Sequence, residues 1–492
     1  MSIPDMPRPP EADVGRMQTT SLAERLLLGN PYEDIKLELA QFLADEVLDR
    51  MTHPDITRNP LKSYARQSNV IYSERPQVDA NGADLSPILR PELWPLRQRG
   101  HLITLGIRDS FIRLDWYAGQ GVSYRVVAPS FVTEAWADAR RPDVPVGLRE
   151  LRLRRHEGKV VWTRDTWDVS DPTKPVFKIE VPGAELGGWV DVTGTHMPEL
   201  PAGGYPYVRK GVPIFPWVMY HPEVTDKLWH WDERLELIDG TLKVCCLWTM
   251  WVHGVRDCAH PQRVGLDVEA PQAKTADGAI TPMDRLPLDQ SAILLLRSAG
   301  QRNGSITTLA PGMDPKAMAE AILSYEAGLA QSAGLSAADV QAGGTSGMSG
   351  YAIVVSRDGQ RRQWAAQRPA AEMGDRLLLA TAAKLSNAYG STALPEEAEA
   401  YTITYAEVGR SADEVLAELA ELEKLVAADF IGPIDAIRRI HPSLDTVGAV
   451  KKIGDIYTQK AIVARIKAEN MPTMPVVLPP AAPAADPTPT GA

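Results

Sequence analysis

The chain has 492 residues, beyond the size at which one hydrophobic core keeps growing, so several structural units are expected. Its 52 basic against 63 acidic residues leave a net charge of -11, which argues against a protein that grips nucleic acid through a broad basic surface, though not against one that lets it slide past. Three cysteines, two of them adjacent at Cys245 and Cys246, cannot form a disulfide framework, and no stretch approaches the ~18 apolar residues of a membrane span, so cytosolic synthesis and no membrane partner are expected.

In chain order, residues 1–20 are Pro-rich and polar and are expected to be loose. Residues 32–51 read as a helix with Leu37, Phe42, Leu43, Val47 and Leu48 on an apolar face, ended by Pro54 and Pro60. From Leu102 the pattern turns to strands at 111–117, 122–132, 148–154, 160–167 and 177–181. The turns Gly119-Gln120-Gly121 and His156-Glu157-Gly158, with 172–175, predict hairpins of a mostly antiparallel sheet. Arg149, Arg152, Arg154 and Arg155 cluster there. Alternation puts Glu150, Arg152 and Arg154 on one face, which predicts a solvated or ion-paired face with Glu150 as partner of Arg152.

Residues 203–220 read as a Pro- and aromatic-rich connection. After Pro222 a helical pattern runs through Val224, Leu228, Trp231, Leu235 and Ile238, then through Leu242, Cys245, Trp248 and Val252 beyond Gly240. Leaving that stripe in water would cost about 25 cal/mol per Å² of apolar surface, so something must cover it. Residues 256–312 are Pro/Gly-rich, with strands predicted at 263–269 and 291–297 and a further one after the turn Gln301-Arg302-Asn303-Gly304. Asp314 and Pro315 open a helix through Ala317, Met318, Ile322, Tyr325 and Leu329 that should stop at Gly334.

The segment 335–350, LSAADVQAGGTSGMSG, has no apolar periodicity and predicts a mobile loop. A long helix follows from Tyr351 to Tyr389, with a kink expected at Pro369. Residues 400–408 alternate as a strand that would rejoin the sheet. Ser411 with Glu414 forms a capping box before the stripe Val415, Leu416, Leu419, Leu422, Leu425 and Val426. Gly432-Pro433 starts a helix through Ile434, Ile437 and Ile440, a last helix covers 445–469, and 471–492 is a Pro/Ala/Thr tail expected to be disordered.

Few residues look chemically equipped. The glycine-rich loop ends in Gly350-Tyr351-Ala352 and lacks the Lys of a phosphate-binding P-loop. Gly344, Gly347 and Gly350 are three apart with no strand before them, which fails the dinucleotide fingerprint, and Gly344-Thr345-Ser346-Gly347 is one residue short of a nucleophile elbow. Cys245, Cys246, His253, Asp257, Cys258 and His260 could hold zinc, but no second close ligand pair accompanies them, and Cys258 with His260 lacks an orienting third group. A cytosolic enzyme or zinc protein using this cluster is the alternative reading. The expectation is no catalytic residue, no cofactor and no metal.

Residues 325–388, containing GGTSGMSGYAIVVSRDGQRRQWAAQRPAAEMGDRLLLATAAKLSNA, resemble the tunnel loop and long wing helix of the portal proteins of tailed bacteriophages. In that family a Ser-Gly-x-Ala pattern begins the long helix, here Ser349-Gly350-Tyr351-Ala352. The segment LKSYARQSNVIYS at 61–73 resembles the entry to the portal wing, and Phe-Ile-Gly-Pro at 430–433 with His-Pro-Ser-Leu at 441–444 resembles the crown. The resemblance spans about 60 to 470.

It implies a mixed α+β portal fold: a β-rich wing (21–222), a helix leading into the stem (223–255), a small αβ clip (256–312), a second stem helix (313–334), a tunnel loop (335–350), a long kinked wing helix (351–390), a wing strand (391–410) and a helical crown (411–470). It also implies a ring of twelve copies at one capsid vertex of the virion, assembled in the host cytoplasm, that passes double-stranded DNA during packaging and ejection. The implied DNA-facing residues are Val340, Gln341, Gly343, Gly344, Thr345, Ser346, Gly347, Met348 and Ser349. Arg297, Gln301, Arg302 and Asn303 would contact the terminase large subunit and the head-tail connector or adaptor protein, with the major capsid protein as a further partner.

Overall fold

The computed structural model describes residues 14–43, 45, 48, 54–183, 188–201, 203–231, 236–259, 314–334, 350–408, 412–428, 430–440 and 446–469, with strands between 262 and 309. The fold is mixed α and β, about 49% helix and 22% strand. Two compact units divide the chain, Met1–Gly409 and Arg410–Ala492.

Helix α1 (Val14–Leu28) begins inside the stretch expected to be loose. Arg16 holds it there. Its buried guanidinium donates to the carbonyls of Pro129, Val132 and Thr133 at 3.2, 2.7 and 2.9 Å and lies 4.0 Å from the ring centre of Trp229. Those acceptors lie more than a hundred residues away, beyond the reach of local composition. Helix α2 (Tyr32–Leu39) is shorter than expected, and its apolar face is met only in part: Ile35 and Leu39 are buried with Leu43 and Leu48 packed against them, whereas Leu37 and Phe42 are exposed. Helix α3 (Pro60–Ser68) is capped by Asn59, whose side chain accepts from the Lys62 N–H, and it buries Leu61, Tyr64 and Ala65.

Strand β1 (Gln77–Asp79) precedes α4 (Leu93–Ile107), a helix that occupies the start of the region expected to be strand. Gly100 and Gly106 weaken its sequence signal but admit close neighbours: a Cβ would stand 3.4 Å from Val126 and 3.0 Å from Leu27. Strands β2 (Ser110–Tyr117) and β3 (Gly121–Val127) form the expected hairpin, with Gly119 and Gly121 at positive φ. The single strand expected over 122–132 is two strands. Pro129 opens a 3-10 turn, Pro129–Phe131, and β4 (Val132–Asp138) enters a different sheet.

Strands β5 (Arg141–His156) and β6 (Lys159–Asp168) meet at Glu157 and Gly158, both with φ > 0, as a two-residue hairpin requires. With β7 (Val176–Pro182) and β8 (Trp189–Asp191) they complete an antiparallel sheet in the order β4-β5-β6-β7-β8. The connection expected at 203–220 contains strands: β9 (Val208–Arg209) pairs with β10 (Val212–Pro213), and β11 (Trp217–Tyr220) pairs with β2 to give the order β11-β2-β3. Phe111, Val132, Leu148, Trp167 and Trp217 from these two sheets share one buried cluster.

Helix α5 (Glu236–Ala259) starts later than the apolar pattern suggested. The described residues 221–231 are not helical, and Val224 is exposed. The helix runs through Gly240 for a steric reason: a Cβ there would lie 2.4 Å from Leu329. Strands β12 (Gln262–Leu266), β13 (Gln272–Lys274), β14 (Ile280–Pro282), β15 (Ile293–Leu296) and β16 (Ser305–Leu309) follow. β12 is central, parallel to β15 and antiparallel to β16, and among the described residues of this segment there is no helix. Helix α6 (Pro315–Ser332) is capped by Asp314 and ends before Gly334 at φ +72, as its sequence predicts.

Helix α7 (Gly350–Tyr389) is 40 residues long and continues through both Gly359 and Pro369. Strand β17 (Thr402–Thr404) pairs with β1 and not with the five-stranded sheet it was expected to rejoin. The second unit holds α8 (Ala412–Ala427), α9 (Pro433–Ile440) and α10 (Thr446–Glu469), where Leu422, Ala436 and Ala449 are buried. Leu419, expected on the same stripe as Leu422, is exposed. Among the described residues no helix is long and apolar enough to cross a membrane.

Candidate functional site

The sequence-derived site residues Val340, Gln341, Gly343, Gly344, Thr345, Ser346, Gly347, Met348 and Ser349, and Arg297, Gln301, Arg302 and Asn303, lie outside the described residues. Their attachment points are described. Strands β15 and β16 flank 297–304, and α6 and α7 flank 335–349. The end of α6 touches α7 at some distance from the helix start: Gln363 Nε2 donates to the Ala333 carbonyl at 3.3 Å, and a Cβ on Gly359 would be 3.2 Å from the Gly334 carbonyl oxygen. The turns of α7 that precede Gly359 therefore extend past that contact by roughly 14 Å at 1.5 Å per residue.

The α5/α6 pair is antiparallel and closely packed. Gly240, near the start of α5, meets Leu329 near the end of α6, while Trp251 Nε1 donates to the Pro315 carbonyl at 2.8 Å at the other end. A buried carboxylate fixes their register. Glu326 accepts from Trp248 Nε1 at 2.6 Å and from Arg58 at 3.0 Å, and the Arg58 guanidinium lies 4.9 Å from the Trp248 ring centre. The apolar stripe that had to be covered is covered in part by the chain itself: Ile238 and Trp248 share a core with Ile322 and Leu329, and Cys245 and Leu242 pack with Ile35 and Leu39, whereas Val252 is exposed.

A second buried carboxylate holds α7. Asp375 accepts from Arg97 at 2.6 Å, Tyr72 at 2.7 Å, Tyr405 at 2.8 Å and Tyr220 at 3.1 Å, joining four separate segments to the long helix. The guanidinium of Arg97 also lies 3.6 Å from the Tyr220 ring centre. Burial opposes the Arg97 charge, but Asp375 and the tyrosine oxygens more than offset it and raise its pKa. Burial also raises the pKa of Tyr72 and Tyr220, so both stay protonated donors. One turn along α4, the buried His101 ring pairs with Gln367 at 3.1 Å, and burial, with Arg97 nearby, pushes its pKa down to about 3. Sequence reading missed all of these groups, because no local pattern marks partners separated by 278 residues.

Between the sheets, Glu150 is buried and ion-paired, but with Arg113 at 2.9 Å and Arg125 at 2.5 Å, not with Arg152 as expected. Arg154 pairs with Asp165 and Arg149 with Glu134. Cys245 and Cys246 are buried on α5, and burial pushes both thiols up to about 12, which leaves them poor nucleophiles near neutral pH. No group of three or more His, Cys, Asp or Glu is placed to hold a metal among the described residues, which exclude His260 and the Asp257 side chain. Compared with known proteins, the chain matches no family model and no curated protein.

Proposed function

We propose that this chain is the subunit of a portal ring of the kind found in tailed bacteriophages, a channel for double-stranded DNA at one capsid vertex. The observation that carries the reading is the order α5, β-insertion, α6, α7: an antiparallel helix pair bracketing a small sheet and followed, after residues 333–349, by a 40-residue helix. That order matches stem, clip, stem, tunnel loop and wing helix, and the motif Ser349-Gly350-Tyr351-Ala352 stands where the long helix begins.

In this reading residues 340–349 converge on the ring axis. Glycine and small side chains there permit movement at little steric cost and offer no fixed grip on phosphates. A net charge of -11 further disfavours sticking to a dense line of negative charge. Residues 297–303 at the tip of the insertion would meet the terminase large subunit and later the head-tail connector, and the β-rich part would face the capsid protein. A ring needs head-to-tail interfaces that close, with twelve copies expected by resemblance.

Electron microscopy of the purified protein tests the proposal. Rings with a central opening wide enough for a duplex are expected, and a compact single molecule without one overturns it. Deleting residues 340–348 should leave particles that assemble but fill poorly with DNA. Normal filling would remove the role assigned to the loop.

A further inference from the structure

Strand β4 joins β5 from Val132 onward, opposite Glu150, so residues 151–156 of β5 have β6 on one side and no strand on the other among the described residues. Beside this open edge lies a cleft of about 350 Å³, within the range of ligand pockets. Arg99 from α4, Arg125 from β3 and Arg152 from β5 line it, together with Phe131 and Trp162, whose rings stack with centroids 6.2 Å apart.

The carboxylates nearby are already engaged. Glu150 accepts from Arg113 and Arg125, Asp115 accepts from Arg113 at 2.9 Å, and Asp165 accepts two bonds from Arg154 at 2.6 Å each. Glu24, at the cleft wall, accepts from the Ser130 hydroxyl. The Arg152 guanidinium makes no ion pair or hydrogen bond among the described residues, and burial together with Arg125, Arg113 and Arg154 lowers its pKa against the opposing pull of Glu150, which is itself engaged by Arg113 and Arg125. A part-buried guanidinium among like charges is a destabilising arrangement that an incoming carboxylate would relieve.

We propose that this cleft binds an extended acidic segment of a partner protein, which adds to the free edge of β5 and places alternate carboxylates against Arg152 and Arg99. Three features fit one another. An unpaired strand edge supplies backbone hydrogen bonds, as in β-strand addition. Side chains two residues apart on an extended peptide share a face, so carboxylates at alternate positions can meet both arginines. The intervening apolar side chains then meet Phe131 and Trp162. The inference is independent of the ring assignment.

The test is fluorescence anisotropy of a labelled, end-blocked Glu-Val-Glu-Val-Glu-Val peptide titrated with the full-length protein. Binding is expected at about 50 mM salt and should weaken as salt rises, because the charges are partly exposed. Arg152→Gln should weaken it at least about ten-fold, whereas Arg141→Gln, at the exposed far end of the same strand where β4 already pairs, should leave it unchanged. The melting temperature of Arg152→Gln should stay level or rise, since the substitution removes a charge repelled by its neighbours. Equal binding by wild type and Arg152→Gln overturns the proposal, as does equal binding of a Lys-Val-Lys-Val-Lys-Val peptide. A clear loss of stability in Arg152→Gln would assign Arg152 a structural role and also overturn it.

Discussion

Asp375 is the residue on which four donors from distant segments converge, and Arg97 is its counter-charge; both are essentially without solvent contact. Taking two charges out of water is costly, so such a pair is weak evidence of net stability, but removing one partner strands the other. Asp375→Asn keeps the shape and leaves the Arg97 charge uncompensated. It should cost about 3–5 kcal/mol in urea unfolding. The double variant Arg97→Met with Asp375→Asn should recover part of that loss, because no charge then remains buried. An unchanged midpoint for Asp375→Asn would mean that the pair does not hold the long helix in place. Exposed pairs such as Lys316 with Glu320, 3.8 Å apart, belong to another class and contribute a few tenths of a kcal/mol at most by comparison.

At the scale of elements, two helical glycines separate propensity from packing. Replacing glycine by alanine in an open helix interior gains up to about 1 kcal/mol. Gly328 on α6 has nothing within 4 Å of an added Cβ, so Gly328→Ala should raise the melting temperature of the isolated chain. Gly374 on α7 faces Tyr220, and a Cβ there would lie 2.3 Å from the ring. That ring cannot step aside easily, since its hydroxyl shares its one proton between the Gly374 carbonyl and Asp375, each 3.1 Å away, and its backbone is paired in β11. Gly374→Ala should therefore lower the melting temperature, with overpacking of about 1–3 kcal/mol outweighing the propensity gain. A rise in both variants would show that α7 and β11 are less closely held than these distances indicate.

At the scale of the whole molecule, the larger unit carries a built-in acid sensitivity. His101 has a folded pKa of about 3 against an ordinary value of 6.5. Between those values the unfolded chain binds a proton that the folded chain excludes, so stability is complete above about pH 6.5 and declines as pH falls toward about 3. One such group contributes a slope of at most about 1.4 kcal/mol per pH unit. His101→Asn should reduce the slope of unfolding free energy against pH in that window, read from denaturant titrations at several pH values. An unaltered slope would place the acid sensitivity elsewhere.

The sequence by itself determined the elements whose signals are local. Asp314-Pro315 and Gly334 bounded α6, paired turn residues placed the β2–β3 and β5–β6 hairpins, and a helical pattern resuming past Gly359 and Pro369 placed α7. Caps, turns and amphipathic stripes depend on neighbours within a few residues, which is why they are legible. Only the tertiary structure decided what the buried charges do and where ambiguous segments go. Arg16 made a helix of a polar leader, Gly100 and Gly106 hid α4 while allowing it to pack, and Glu150 chose Arg113 and Arg125 over the arginine two residues along its own strand. β17 paired with β1, more than three hundred residues earlier, and Asp375 gathered partners from four segments. Desolvation makes each buried charge depend on whichever groups the fold brings within hydrogen-bond reach, and that proximity is a property of the folded chain and not of any local stretch.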